Sequence, residues 1–294
     1  MFTVDYKQDV NSLELKNPDH SNYAKIDLNL GGSLQELKLG NQEIISAKDM
    51  PPYHAAFMSS ILFPFANRIE NGQYAFNNKN FTLEKNEVDR QNALHGLVHD
   101  KIFRIVTKEV SDGSAAVEIS YDEIQTVPGF PFKYSINLCY TLTENSMELK
   151  VEARNKDNDE FPFVLGWHPY FRTKDLYNSQ LKLHSRKRLL VNENMIPNGE
   201  TSMDWNGFRK IEDKAFDDCF VLNNNEVEFK TPEYHLRIIC STEENYLQLY
   251  TPDNRKCIAI EPQTAPANSF NSKMGLQVLK PNETYNASWK INLK

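Results

Sequence analysis

The sequence predicts an all-β protein, built as a large antiparallel sandwich or barrel. In its most regular stretches apolar residues alternate with polar ones, which is the period of a strand with one buried face. No stretch keeps apolar residues at helical spacing over three turns with caps at its ends. No glycine-rich loop joins a strand to a helix, so a Rossmann or P-loop nucleotide site has no support.

The clearest strand pair lies in the middle of the chain. Residues 134–142 alternate, residues 144–146 are polar turn formers, and residues 147–153 alternate again. Two alternating runs around a short turn are typical of an antiparallel hairpin. We therefore expect a long hairpin with one buried face.

Further strands are predicted along most of the chain. Apolar residues on both sides of the turn 77–80 predict a second hairpin. Additional strands are expected at residues 117–121, 236–240, 247–250 and 285–291. The polar character of residues 1–25 predicts an edge strand or a loosely packed segment. No linker, composition shift or fixed-period repeat divides the sequence, so we expect one β-rich domain over residues 1–294.

Charge and composition exclude several classes of function. The chain has 33 Lys and Arg residues against 40 Asp and Glu residues, a formal net charge of −7. Nucleic acids and anionic membranes require a basic face, so neither is an expected partner. The one dense basic cluster, Arg186-Lys187-Arg188, is interpreted as a solvated loop.

Membrane and disulfide signals are also missing from the sequence. The longest uncharged stretch, residues 50–67, contains three prolines and cannot form a membrane span. The four cysteines are widely spread and form no Cys-x-x-Cys pair, so neither structural zinc nor a disulfide framework is expected. We expect a cytoplasmic protein.

Two polar residues stand in apolar surroundings where proton transfer is possible. His168 lies between Trp167 and Pro169, so partial desolvation should lower its pKa; the alternative is a hydrogen-bonded core histidine. Glu261 ends an apolar run and is followed by Pro262. It is a candidate general base with a raised pKa, or else a structural carboxylate that caps a loop.

Two other segments carry candidate binding residues. His95 precedes Gly96, which indicates either close approach of a ligand or only a tight turn. His99 follows four residues later, but a glycine between the two histidines weakens a metal-binding interpretation. Asn67 and Arg68 follow an aromatic run, where an arginine must be paired or face a cavity. Its guanidinium group could hold sugar hydroxyls or a carboxylate.

These residue types favour acid–base chemistry on a polyhydroxylated ligand. The sequence has no Gly-x-Ser-x-Gly elbow and no cysteine in an evident nucleophile context, which disfavours covalent hydrolysis. A histidine and a glutamate of different pKa can exchange protons with a sugar without a metal or a redox cofactor. We therefore expect no cofactor.

Taken together and in this order, the segments resemble the aldose 1-epimerase, or galactose mutarotase, family. The matching stretches are Asn67-Arg68-Ile69 with Gly72 and Phe76, Asn92-Ala93-Leu94-His95-Gly96, Pro128-Gly129, His168-Pro169-Tyr170-Phe171, Met195-Ile196-Pro197-Asn198-Gly199-Glu200, Phe216-Asp217-Asp218-Cys219-Phe220 and Glu261-Pro262-Gln263-Thr264. Pro169 and the Asp217-Asp218 doublet resemble the broad bacterial branch, whose substrates vary.

The resemblance implies a β-supersandwich of antiparallel sheets with an open sugar-binding cleft. It implies that His168 is the general acid and Glu261 the general base. It further implies that Arg68, His95 and Asp217 hold the sugar hydroxyls. Asp217 is preferred over Asp218 because it directly follows the aromatic residue, as in the family pattern. Asn67, next to the arginine, completes the candidate substrate-binding set.

The expected activity is interconversion of the α and β anomers of a hexose, with an ionised Glu261 and a protonated His168. The expected partner is a small sugar, and the chain is expected to act as a monomer or homodimer. Two alternatives remain open: a hexose-6-phosphate 1-epimerase and a non-catalytic carbohydrate-binding protein. Residues available for a phosphate are Arg90, Arg104, Arg172 and Lys273. Residues available to stack on a sugar are Trp167, Phe171 and Trp205, although a core role is favoured for each.

Overall fold

The computed structural model describes residues 1–48, 50–242 and 245–294, which consist mainly of antiparallel strands. The strands are β1 Thr3–Lys7, β2 Ser12–Lys16, β3 Tyr23–Asp27, β4 Ser33–Leu39, β5 Gln42–Ser46, β6 Ile61–Leu62, β7 Arg68–Ile69, β8 Gln73–Phe76, β9 Lys79–Thr82, β10 Ala93–Leu94, β11 Arg104–Val110, β12 Ser114–Glu123, β13 Tyr134–Thr143, β14 Ser146–Asn155, β15 Phe161–Phe163, β16 Gly166–Trp167, β17 Tyr170–Arg172, β18 Gln180–Val191, β19 Pro197–Lys210, β20 Asp217–Leu222, β21 Glu226–Lys230, β22 His235–Cys240, β23 Tyr246–Tyr250, β24 Cys257–Gln263, β25 Gln277–Leu279 and β26 Thr284–Leu293. The helices are α1 Tyr53–Ala56, α2 Ser269–Ser272 and the 3₁₀ turn Glu70–Gly72. The predicted all-β class is confirmed.

None of the helices in these ranges has the length and apolar character needed to cross a bilayer. The expectation of one domain over residues 1–294 stays a prediction.

A sheet of fifteen strands forms the main body of the structure. Its order is β11-β12-β13-β14-β26-β22-β21-β18-β20-β23-β24-β16-β6, with β19 beside β18 and β17 beside β24. The predicted central hairpin is β13 and β14, in which Leu142 lies opposite Met147. Ile136, Leu138 and Tyr140 are fully buried on one face, as the alternation predicted.

A second sheet of five strands is formed by β1 to β5 in chain order. It packs against the β12–β13 region, where the Tyr140 hydroxyl donates to the Gly32 carbonyl at 2.8 Å. Leu13 and Leu15 on β2 are fully buried. The prediction of a loosely packed segment at residues 1–25 is therefore wrong, while an edge strand is present as β1. Short polar strands hid this core contribution from the sequence pattern.

The predicted turn of the second hairpin is also corrected. In the β8–β9 hairpin Phe76 pairs with Lys79, so the turn contains two residues rather than the four of 77–80. Asn77 and Asn78 both take positive φ, at 48° and 59°, which is the geometry of a two-residue type I′ turn. Asparagine tolerates this geometry, and the following residues can then join the strand.

The basic cluster Arg186-Lys187-Arg188 lies in strand β18 and not in a loop. The strand passes through a bulge between Ser185 and Lys187, which lets exposed charges continue the ladder. Lys187 pairs with Glu200, and Arg188 pairs with Asp218. The cluster is solvated, as expected, but its charges are partly neutralised.

Candidate active site

Three antiparallel strand segments bring His168 and Glu261 together. His168 lies between β16 and β17, and both of these strands pair with β24, which carries Glu261. The His168 backbone is fixed on both sides, because its N–H donates to Ser60 and its carbonyl accepts from Ser59. As a result His168 Nε2 lies 3.3 Å from Glu261 Oε1.

This pair lies in a cleft with a volume of about 280 Å³. All six residues predicted for the site line it: Asn67, Arg68, His95, His168, Asp217 and Glu261. They come from five separate segments of the chain, since Asn67 and Arg68 are adjacent, so the fold assembles a site that no local motif contains. Phe57, Arg90, Leu94, Tyr170, Gln248 and Tyr250 also line the cleft, together with Ala55 and Ala56.

Arg68 is both paired with a carboxylate and open to the cleft. The sequence predicted that it must be either paired or facing a cavity, and both are found. Its Nη2 lies 2.8 Å from Glu87 Oε1, and its Nη1 donates to Asn67 Oδ1 at 3.1 Å. The Asn67 carbonyl accepts the backbone N–H of His95 at 2.9 Å. Asn67 therefore connects two of the candidate binding residues.

His95 is held against His168 by unusual backbone geometry. His95 has a φ of 63°, and Gly96 follows with a φ of 77°. A Cβ at Gly96 would lie 2.4 Å from the Phe63 carbonyl oxygen, so the close approach requires glycine. The imidazole ring of His95 then lies 4.9 Å from that of His168, nearly perpendicular to it.

The histidines at positions 95 and 99 share an aromatic neighbour. The Phe57 ring contacts both, with centroid distances of 4.8 Å and 5.0 Å. Within the described ranges, no group of three or more His, Cys, Asp or Glu side chains is arranged to hold a metal ion. Phe57 and His95 line the cleft, whereas His99 lies outside it.

The two adjacent aspartates on β20 have different surroundings. Asp217 lines the cleft, where its Oδ1 accepts from Gln248 Nε2 at 2.8 Å. Asp218 instead accepts from Arg188 Nη1 at 2.8 Å and does not line this cleft. Successive side chains of a strand point to opposite faces, which explains the difference.

Burial shifts the pKa values of His168 and Glu261 in the directions that favour the neutral form of each side chain. It lowers the pKa of His168 to about 4, and raises the pKa of Glu261 well above its ordinary value. Burial also raises the pKa of Asp217 and lowers that of His95. These directions favour a protonated Glu261 and a neutral His168, rather than the ion pair expected from the sequence.

Comparison with known proteins identifies the family of this chain. The sequence profile described as aldose 1-epimerase matches residues 12–292. The chain belongs to the aldose 1-epimerase family. It is 24% identical over 325 residues to the maltose epimerase of Levilactobacillus brevis, which covers 94% of this chain and 93% of the relative. It is also 24% identical over 285 residues to the Escherichia coli protein YihR, covering 92% and 90% of the two chains.

A solved structure shares the fold of this family member. The crystal structure of a galactose mutarotase-like protein from Clostridium acetobutylicum superposes with a TM-score of 0.87 at 20% identity. The match covers 100% of this chain and 98% of that one. The fold expected from the resemblance is therefore confirmed.

The three aromatic residues considered for sugar stacking have the core role that the sequence favoured, and other aromatic residues line the cleft of this family member. Trp167 and Phe171 are fully buried and cannot stack on a sugar. Trp205 packs against Phe216 and Phe220 on the other face of β20. Tyr170 and Tyr250 line the cleft instead, with ring centroids 6.5 Å apart.

A signal for one of these tyrosines was present in the sequence. Tyr170 follows His168 by two residues, so alternation predicts that both side chains lie on one face. Tyr250 and Gln248 end an ordinary alternating strand, where no local feature marks them as cleft residues.

Proposed function

We propose that this aldose 1-epimerase family member interconverts the α and β anomers of a hexose, with His168 and Glu261 transferring the protons. The observation that carries the proposal is the 3.3 Å contact between the two side chains on the wall of a polar cleft. A pure binding protein has no need of a buried acid and base in contact, because burying both groups is costly. The similarity to a maltose epimerase supports the same reaction class.

In the proposed reaction Glu261 removes the proton from the C1 hydroxyl while His168 donates a proton to the ring oxygen. The bond from C1 to the ring oxygen breaks, its electron pair goes to that oxygen, and C1 becomes an aldehyde. Rotation about the C1–C2 bond exposes the other face of the carbonyl. Closure reverses both proton transfers and gives the other anomer.

The proton count of the pair fits this cycle. Ring opening starts from Glu261 carboxylate and His168 imidazolium, and leaves Glu261 protonated and His168 neutral. Burial favours the second form. The two forms differ only in the position of one proton, so transfer of that proton between His168 and Glu261 across the 3.3 Å contact interconverts them.

The polar groups around the pair are suited to sugar hydroxyls. Arg68 and His95 supply donors, Asp217 supplies an acceptor, and the Asn67 amide lies between them. The Nδ1 atom of His95 is buried without a hydrogen-bond partner among the described residues. A bound hydroxyl would satisfy it.

The phosphate alternative has less support. Of the four cations considered for a phosphate group only Arg90 lines the cleft, and it is bound to Glu87 at 3.1 Å. Arg104 pairs with Asp122 instead, and Lys273 donates to the carbonyls of two other residues. The cleft also contains the carboxyl groups of Asp217 and Glu261, which repel a phosphate when ionised.

Anomer exchange measured by saturation-transfer NMR tests the proposal. Glucose, galactose, maltose and glucose 6-phosphate are compared with and without the protein. We expect faster exchange for at least one unphosphorylated sugar. Acceleration of the phosphate alone would replace the hexose assignment, and the spontaneous rate on all four sugars would contradict the proposed activity on them.

A further inference from the structure

Glu87 lies just outside the cleft and holds the arginine that lines it. Both carboxylate oxygens of Glu87 accept from Arg68: Nε donates to Oε1 at 3.1 Å and to Oε2 at 2.9 Å, and Nη2 donates to Oε1 at 2.8 Å. The two side chains are only 11% and 12% exposed. A bidentate pair of this kind fixes the plane of a guanidinium group as well as its position.

This pairing determines which part of Arg68 is available to a ligand. A guanidinium group has five N–H donors in one plane. Glu87 occupies the edge formed by Nε and Nη2, and Asn67 accepts one donor of Nη1. Each of Nη1 and Nη2 therefore keeps one N–H, so Arg68 retains two donors for the oxygen atoms of a sugar.

Glu87 is itself held in place by other side chains. Asn92 Nδ2 donates to Glu87 Oε2 at 2.8 Å and also to the Asn194 carbonyl at 3.0 Å. Arg90 Nη1 donates to Glu87 Oε1 at 3.1 Å. Although burial opposes ionisation, the bonds from Arg68 and Asn92 bring the pKa of Glu87 below its ordinary value. The carboxylate is therefore a fixed negative charge.

We propose that Glu87 is a positioning residue for the reaction, which orients Arg68 towards the sugar and offsets its positive charge beside Glu261. The inference rests on the proposed function, since it assigns Arg68 to sugar binding. Arg68 acts through space to lower the raised pKa of both Glu261 and Asp217. Removing the charge of Glu87 leaves more of the positive charge of Arg68 uncompensated, so the pKa of Glu261 should fall further. Removing a residue with a purely structural role would not have this effect on the acid–base pair.

Two substitutions separate orientation from charge. Glu87→Gln removes the charge and leaves one acceptor, with an amide N–H₂ group facing the guanidinium donors. We expect KM to rise about tenfold, with a smaller change in kcat, and both limbs of the kcat/KM profile to move to lower pH. Glu87→Asp keeps the charge but shortens the side chain, so KM should rise while the pH profile stays in place.

Glu226→Gln is the matched control, because Glu226 pairs with Arg237 away from the cleft. It should leave KM and the pH profile at wild-type values. Wild-type values in both Glu87 variants would overturn the positioning role. So would a loss of thermal stability in both with unchanged kinetics in the folded fraction, because that is the behaviour of a structural residue.

The binding of galactose, glucose and maltose by isothermal titration calorimetry distinguishes this inference from the proposed function. If the wild-type protein binds one of these sugars without accelerating anomer exchange, the proposed activity fails. Weaker binding of that sugar by Glu87→Gln, but not by Glu226→Gln, would still support the positioning of Arg68. Equal affinity in the wild type and both variants would overturn it. Absence of binding to all three sugars would overturn both the assigned substrate class and this inference.

Discussion

Glu228 and Glu261 are both buried in the large sheet, at 4% and 2% exposure, but their partners differ. Glu228 is bound by three basic side chains: Lys182 at 2.8 Å, His235 at 2.7 Å and Lys294 at 2.6 Å. Among the described residues, Glu261 contacts His168 and the Gln263 amide, each at 3.3 Å, and no Lys or Arg side chain pairs with it. One carboxylate is neutralised by the fold, whereas the other is not.

The pKa values follow this difference in opposite directions. Burial opposes the charge of Glu228, but its bonds to Lys182, Lys294 and His235 lower its pKa to about 2. Burial, with the nearby charge of Asp217, raises the pKa of Glu261 well above its ordinary value. Burial alone therefore does not mark a functional carboxylate. The absence of a neutralising cation is the informative feature, because a group that keeps its proton near neutral pH can exchange it.

The largest expected effect is on turnover. Glu261→Gln removes the proposed base while keeping the shape of the side chain, and should slow anomer exchange about 10³-fold. Glu228→Gln should leave exchange within about twofold, since Glu228 does not line the cleft. Saturation-transfer NMR on the two purified variants measures both effects. Equal losses, or near-normal turnover in Glu261→Gln, would show that the proton is taken by another group.

The second comparison is stability at neutral pH. Glu228→Gln removes a charge that accepts three hydrogen bonds and should lower the free energy of unfolding by about 2 kcal/mol. For a chain of this length that corresponds to a fall in Tm of roughly 3–5 °C. Glu261→Gln should raise Tm slightly, because it removes a carboxyl that the fold leaves without a cation. Thermal unfolding followed by circular dichroism decides the signs, and a stabilised Glu228→Gln variant would break the comparison.

The pH dependence of stability sharpens the contrast further. As pH rises above 4.5, the unfolded chain ionises Glu261 while the folded chain keeps it protonated, so wild-type stability falls by up to about 1.4 kcal/mol per pH unit until the folded pKa is reached. The stability advantage of Glu261→Gln should grow over that window. For Glu228 the folded chain stays ionised down to about pH 2, so its contribution is lost as pH falls from 4.5 towards 2.

Urea unfolding of the two variants and the wild type across these pH windows measures both slopes. A stability difference between Glu261→Gln and the wild type that does not change with pH would show that the carboxyl ionises normally in the fold. A constant difference for Glu228→Gln below pH 4.5 would show the same for Glu228.

The local pattern of the sequence predicted the parts of the molecule that depend on near neighbours. Alternation located β13 and β14, and apolar flanks predicted the directions of the pKa shifts of His168 and Glu261. The flanks did not indicate which of the two side chains holds the shared proton, because that depends on burying both groups together. Charge patterns also failed for Arg188, whose position in a bulged strand depends on distant pairing.

Residues that act from a distance had no such signal. Glu87 binds Arg68 across 19 positions of sequence, and Gln248 reaches Asp217 across 31. Only the closure of strands into the sheet and the folding of loops over its edge bring these side chains together. Residue chemistry alone singled out Asn67, Arg68, His95, His168 and Glu261, but without their partners. The family resemblance added Asp217 and assigned all six to one cleft, because it encodes that closure indirectly.

The smallest expected effect comes from Gln263, which lies two residues after Glu261 on β24. Gln263 Nε2 donates to Glu261 Oε2 at 3.3 Å, which lowers the raised pKa of the carboxyl to a small extent. Gln263→Leu removes this bond, so the kcat/KM profile should move to higher pH by less than about one unit. That direction is opposite to the shift expected for Glu87→Gln. The Gln263 Oε1 atom is buried without a hydrogen-bond partner among the described residues, so the leucine should not lower Tm. A shift to lower pH would mean that the carboxylate form of Glu261 is stabilised by something other than its hydrogen bonds and the charge of Arg68.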